Sequence, residues 1–225
     1  MTQTPDLALA RIEERPQTLR LIALDRLREA ILEGRMQPAE RLVERTLSDR
    51  LGVSRSVIRE VLRNLESEGL VETTGSGPRL ATISRDEARQ VYEIRGQLES
   101  SAAAACARAT TPAIVAQLES ALSALSDAHV KGSTIDALRA TNVFYEAMFL
   151  GGGHTIAWDV VARLFGRISR MRAMTLGTDG RKAAGYDQLR QIASAIARGD
   201  ADGAADACRQ HVAAAATIAE DLLAG

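Results

Sequence analysis

No stretch of this chain stays apolar for the roughly 18 residues that a bilayer-crossing helix needs, so no transmembrane helix is expected. Its first residues, MTQTPDLALARIEERPQTLR, lack the apolar core of a secretion signal and carry acids, which makes a cytoplasmic protein the expectation. There are two cysteines, Cys106 and Cys208, both in alanine-rich surroundings and without metal-ligand spacing. They are expected to be buried and reduced, as in a cytosol. A surplus of charge is missing too: the formal net charge is −1. No nucleophile–base pair, carboxylate dyad or cofactor motif is found, so no catalysis is expected and an enzyme is a remote alternative. The glycines at 151–153 have neither a preceding strand nor a following GK[ST], and read as a helix break rather than a phosphate loop.

What is abundant points to helices. Hydrophobic residues make up 46% and charged residues 25%, the profile of a globular protein, while aromatics reach 3%. Alanine, leucine and arginine dominate, and all three enter helices at little cost. A length of 225 residues has room for one large or two ordinary domains.

Residues 1–16 read as a loose arm ending at Pro16. Residues 18–32 carry apolar side chains at helical spacing and are followed by Gly34; a connector with Pro38 leads to a second helix over 42–51. The segment 47–71, LSDRLGVSRSVIREVLRNLESEGLV, then reads as helix, tight turn at Gly52, and a third helix over 54–68. That is the pattern of a helix-turn-helix, which sets one helix in the DNA major groove. Two short strands around a turn at Gly75 and Gly77 complete a winged helix-turn-helix over 17–83.

The third helix separates its residue types by face. At about 100° per residue, Val57, Ile58, Val61, Leu62 and Leu65 cluster on one side, and Ser56, Arg59 and Arg63 lie nearly opposite, with Arg55 on the flank. Arginine can grip guanine O6 and N7 with two donors, or reach phosphates. Ser54 stands where its hydroxyl can cap the helix, leaving backbone N–H groups for a phosphate, and as a single residue it reads as a cap before a base reader. Residues 1–83 hold 13 arginines, no lysine and 13 acids, so DNA affinity has to arise locally. Between Arg41 and Arg63 six arginines face three acids.

At Ser84 the pattern changes. Ser84 with Glu87 forms a capping box, and the chain then reads as about six antiparallel helices over 84–225. The fold class expected is mainly α, a winged helix-turn-helix followed by an all-α antiparallel bundle. Three stripes on the bundle helices each place a polar group among apolar neighbours: Arg95 beside Val91, Leu98 and Ala102; Thr141 and Tyr145 beside Leu138 and Met148; His211 beside Ala204, Cys208 and Ala215. Buried polar groups need partners. A small-ligand cavity is one answer, with Arg95 for a ligand carboxylate and Asn142, Tyr145 and His211 as hydrogen-bonding groups. The structural alternatives stand beside it: an i,i+4 ion pair of Arg95 with Glu99, a satisfied core histidine at 211, and Tyr145 as core filler. His129 and His154, near helix ends, are expected to cap or to face solvent.

These residues resemble the GntR family of bacterial transcription regulators, most closely through LGVSRSVIREVLRNLESEGLV. The resemblance implies that Arg45, Arg55 and Arg59 contact DNA together with Ser54, and that the wing near Gly75 and Gly77 enters the minor groove. The second half is similar to the helical FadR-type (FCD) effector domain through VYEIRGQLESSAAAACA and AIARGDADGAADACRQHV. Many such domains hold a divalent metal through an aspartate and histidine in D-x-x-F-H and two later histidines. Here those positions are Thr141, Tyr145 (in T-N-V-F-Y), Leu189 and His211. Leucine has no donor, and a hydroxyl and a phenol are poor substitutes for carboxylate and imidazole, so no metal site is expected.

The function expected is that of a homodimeric DNA-binding regulator acting on a pseudo-palindromic operator, with repression as the expected sign. A small effector, an organic acid, would bind in the bundle. The alternatives are an acyl-CoA or fatty-acid effector and, from other classes, a helical-bundle enzyme or a protein-interaction module.

Overall fold

A computed structural model describes residues 19–36, 39–178 and 180–224. The expected arm over 1–16 and Pro38 of the connector lie outside the described residues.

The first helix, α1 (Leu19–Leu32), buries Ala23, Leu24, Leu27 and Ile31 along one stripe. It stops at Gly34, whose φ of 71° is in the left-handed region, and Arg35 N–H closes the end on the Ala30 carbonyl at 3.0 Å. The second helix, α2 (Glu44–Leu51), begins two residues later than periodicity suggests. Leu42 N–H is engaged by the Pro78 carbonyl at 2.9 Å and Arg41 bridges Arg79, so 41–42 pair alongside the wing instead of coiling. After the left-handed Gly52, α3 (Arg55–Ser67) buries Ile58, Val61, Leu62 and Leu65. Strands β1 (Val71–Thr74) and β2 (Gly77–Leu80) pair antiparallel with Thr74 opposite Gly77, leaving Gly75 and Ser76 as the turn.

Among the described residues seven helices follow where about six were expected. They are α4 (Arg85–Arg108), α5 (Pro112–Lys131), α6 (Thr134–Gly151), α7 (Thr155–Arg163), α8 (Phe165–Leu176), α9 (Arg181–Ala197) and α10 (Ala201–Ala224). The capping box at the head of α4 is formed: Glu87 N–H donates to Ser84 Oγ at 3.2 Å and Ser84 N–H to Glu87 Oε2 at 3.0 Å. Helices α4 and α10, each about 36 Å long at 1.5 Å per residue, face each other through small side chains. Ala102, Ala103, Cys106 and Ala107 are buried on α4, and Ala204, Cys208, Ala215 and Ala219 on α10. Burial pushes the Cys106 thiol up to about 11, so it is an inert core group. The unexpected break falls at Leu164, between α7 and α8, with no proline and only the single Gly166, two residues on, to announce it.

The cause of that break is tertiary. Helix α8 abuts the winged helix, and Gly166 is its point of closest approach. A Cβ there would overlap the Glu68 carbonyl and stand 2.8 Å from Leu70 Cγ. Around this seam Arg170 donates to the Ala81 carbonyl and Arg139 pairs with Glu29. Ile135 and Leu138 of α6 join the apolar cluster of Leu27, Ile31, Leu62 and Leu65. Gly166→Ala is therefore expected to destabilise the chain by about 1–3 kcal/mol through overpacking. Urea denaturation reads this; an unchanged midpoint would remove the seam from Gly166.

Candidate functional site

Two places gather the polar residues that the sequence singles out. The first is the outer face of α3. Val57 N–H donates to Ser54 Oγ at 3.3 Å, so Ser54 caps the helix, and the Ser54 and Ser56 hydroxyls lie 2.8 Å apart. Arg55, Ser56, Arg59 and Arg63 are all exposed while the opposite face is buried. Arg59 Nε sits 3.0 Å from both carboxylate oxygens of Glu44 on α2. That hydrogen bond, with the attraction between the charges, raises the guanidinium above its ordinary range. Arg45 is exposed and 3.9 Å from Asp49. The wing tip presents Gly75 and Ser76, both exposed, with Gly77 half-buried at the start of β2, and Arg79 Nε reaches Glu72 Oε1 across the hairpin at 2.9 Å. The Glu44 partner of Arg59 escaped sequence reasoning because 15 positions and a turn separate them.

The second is a cavity of about 40 Å³ inside the bundle, room for a few ordered waters. Its walls include Arg95, Thr141, Arg172, Arg181, Leu189 and His211. Arg95 is fully buried and forms the i,i+4 pair with Glu99, Nε to Oε1 at 2.7 Å. Burial works against the Arg95 charge, but the Glu99 carboxylate overcomes it and holds the guanidinium above its usual value. Arg95 Nη1 is buried without a hydrogen-bond partner among the described residues. Arg172 lies over the Tyr145 ring at 4.6 Å, a cation–π contact. Burial, and then repulsion from Arg95, lower its pKa. Gln188 Oε1 accepts from Arg181 at 2.9 Å and lies 3.0 Å from His211 Nδ1, which assigns the His211 proton to Nδ1.

Not every expected pocket residue is there. Asn142 does not reach the cavity wall: one position past Thr141, it is turned about 100° around α6 and lines a different hollow, beside Arg28 and Glu29 of α1. Its Oδ1 accepts from Arg172 Nη1 at 2.9 Å, so it touches the cavity through that side chain. Tyr145 stands just behind the wall, its ring 6.5 Å from that of His211 and its buried hydroxyl unpartnered among the described residues. His129, expected to cap or face solvent, instead lines the cavity edge-on to Tyr186. His154 keeps near its helix end, Nδ1 3.1 Å from the Gly152 carbonyl oxygen. Arg172 and Arg181 went unread. The available signal for Arg172 was its place beside Ile168, Met171 and Thr175, a stripe that is buried.

The chain matches two family models: "Bacterial regulatory proteins, gntR family" over residues 21–78 and "FCD domain" over residues 90–214. It belongs to the GntR family. This GntR chain is thus a DNA-binding transcription regulator with an FCD effector domain. A Streptomyces ambofaciens protein, described as an uncharacterized HTH-type transcriptional regulator in an unstable DNA locus, is 28% identical over 193 residues, covering 84% of this chain and 80% of its own length. The HTH-type transcriptional repressor RspR of Escherichia coli strain K12 is 26% identical over 187 residues, covering 83% and 82%. The solved structure of E. coli McbR/YncC shares the fold at a TM-score of 0.76 with 19% identity, over 91% of this chain and 98% of that one.

In this GntR chain the four FCD metal positions stand as follows. Thr141 Oγ1 donates to the Ala137 carbonyl at 2.8 Å, and Leu189 is buried with nothing to donate. Burial keeps the Tyr145 phenol protonated, and His211 is bonded to Gln188. Among the described residues no cluster of three His, Cys, Asp or Glu side chains could hold an ion.

Burial of this pair and of His211 yields two expectations. Arg95→Met leaves Glu99 buried and unpaired, and should cost about 3–5 kcal/mol; replacing Glu99 by Leu as well should recover most of it. Equal losses in the single and double variants would show that the pair is not the source. His211 is held neutral, well below the usual histidine value, by burial first and then by Arg181, Arg95 and Arg172. The unfolded chain binds that proton near pH 6.5, so stability is full above that value and falls as pH drops below it. The fall in urea midpoint between pH 7 and 5 should be shallower in His211→Gln; parallel curves would contradict the assignment.

Proposed function

We propose that the chain acts in the cytoplasm as a homodimer that binds a pseudo-palindromic operator, represses transcription, and changes its operator affinity when an organic acid enters the bundle cavity. The observation that carries the DNA half of this reading is the capped α3, with a buried apolar face and Arg55, Ser56, Arg59 and Arg63 exposed on the other. Inserted in a major groove, Arg55, Ser56 and Arg59 reach base edges or phosphates, Ser54 and Arg45 hold the backbone, and the wing at Gly75 and Gly77 lies along the minor groove. The Glu44 carboxylate keeps Arg59 extended towards that face when no DNA is present.

Three guanidinium groups set in a largely apolar wall favour an acid in the cavity over the acyl-CoA alternative, since a chain of many carbons does not fit a space of about 40 Å³. A divalent metal is not part of this reading. Leucine, a threonine engaged by its own helix and a neutral phenol stand at three of the four ligand positions, and three guanidinium groups repel a cation. No catalytic role is proposed, and no described helix is long and apolar enough to cross a membrane.

The test is a mobility-shift assay on the promoter beside the chain's own gene. Arg59→Ala is expected to weaken specific binding by about 1–3 kcal/mol, roughly 5- to 150-fold, with dimer mass unchanged. Salt should weaken wild-type binding steeply, in proportion to the phosphates contacted. Undiminished affinity in the variant would remove α3 from the groove, and absent or salt-insensitive binding would leave the winged helix as a protein-interaction module.

A further inference from the structure

The charges around the bundle cavity do not cancel. Three guanidinium groups from three helices wall it, Arg95 of α4, Arg172 of α8 and Arg181 of α9, with the exposed Lys182 at its rim, and no aspartate or glutamate belongs to that wall. Glu99 hydrogen-bonds Arg95, at 2.7 Å, and reaches Arg172 only through space. Among the described residues Arg172 and Arg181 hydrogen-bond neutral partners, Asn142 at 2.9 Å and Gln188 at 2.9 Å. Two guanidinium groups, Arg181 buried and Arg172 half-buried, are left without a carboxylate hydrogen-bond partner beside a partly enclosed space. A charge withdrawn from water without a counter-charge is costly, and a guanidinium cannot escape by losing its proton.

We infer that this cavity receives a compact anion bearing two negative charges, gripped directly by Arg95, Arg172 and Arg181 with no metal ion between protein and ligand. The inference rests on the reading of the bundle as an effector domain and names the effector's chemical class. Each feature of the site selects. Two unanswered guanidinium groups call for two charges, since a singly charged acid leaves one of them unmet. The small volume calls for few heavy atoms, as in a short dicarboxylate or a phosphate group. Planar guanidinium forks suit either group, because each presents paired oxygens to two parallel N–H donors. Arg95 Nη1, buried and without a partner, supplies a donor already free of competing bonds.

The location of Arg172 connects this site with the DNA-binding half. Its helix, α8, meets the cavity at Arg172 and meets the winged helix at Gly166 and Arg170. An anion that draws Arg172 inward competes with its hydrogen bond to Asn142, which lies in the hollow beside Arg28 and Glu29 of α1.

The experiment uses the full-length protein in a metal-chelating buffer, with melting temperature and calorimetric titration as readouts. The probes are malonate, succinate and inorganic phosphate, with acetate and propionate as singly charged controls and zinc or manganese chloride alone. At least one doubly charged probe is expected to raise the melting temperature despite the chelator, and to bind at least tenfold more tightly than either control. Which probe succeeds separates a dicarboxylate effector from a phosphate one. Arg172→Gln and Arg181→Gln should each weaken that binding tenfold or more, and Arg181→Lys should retain part of it. The proposal is overturned if no doubly charged probe binds, if binding requires added metal, if acetate binds as tightly, or if the glutamine variants bind like wild type. Operator binding without any anion is followed in parallel. Its absence would sink the regulator reading itself, whereas intact operator binding with no anion response would sink the anion site alone.

Discussion

A fully buried arginine–glutamate pair is the constraint around which the bundle is arranged. Taking two charges out of water costs several kcal/mol for each ion, and a pair recovers that only with close geometry and further polar contacts. Arg95 and Glu99 obtain the geometry from their spacing on one helix, where i and i+4 side chains meet without tertiary help. The contacts come from elsewhere: the Tyr92 ring lies 5.1 Å from the Arg95 guanidinium, and Tyr145, Arg172 and His211 form the next layer. Positive charge at the centre then dictates the state of its neighbours. It helps to hold His211 neutral, and it adds to the desolvation of Arg172. A metal ion would have to be placed among these like charges, with a leucine where a ligand should be.

At the other end of the molecule the electrostatics are local in a different sense. The first 83 residues carry as many acids as arginines, so no broad positive field draws the winged helix to DNA. What it offers is an ordered row of side chains on a rigid helix, one of them already paired with an acid. Glu44 pairs with Arg59 in the free protein, and under the proposed contact a phosphate or guanine would have to displace that carboxylate or share the guanidinium with it. Such exchange favours discrimination between sequences over strength of non-specific attachment.

Local signals made most of the fold legible, and tertiary ones hid the remainder. The apolar stripe of α3, the Ser54 cap, the Gly52 turn, the Ser84–Glu87 box and the glycine breaks all lie within a few residues of what they control. The break at Leu164 has a weak local signal in Gly166 alone, whose close approach to Glu68 and Leu70 far away in sequence is not legible. The start of α2 shifted for the same reason, because Leu42 is held by the wing. In the cavity, Arg95 and His211 were legible as polar residues on apolar stripes. Arg172 and Arg181 were not: Arg172 flanks its stripe, Arg181 is the first residue of its helix, two turns before Leu189, and the convergence of three arginines exists only once α4, α8 and α9 have packed. Asn142 failed for a simpler reason, a neighbour in sequence being a quarter-turn away on a helix.

The winged helix completes its apolar core with Ile135 and Leu138, two side chains that belong to the other half of the chain. It is therefore not a self-contained reading head in the sense that its sequence boundary implies. Cutting the chain after residue 83 would strip two aliphatic groups from that core and uncover the surface they protect. Exchange of heads between regulators of this build, by recombination or in the laboratory, has to carry the matching strip of α6 along with it. Modularity here ends at a shared wall.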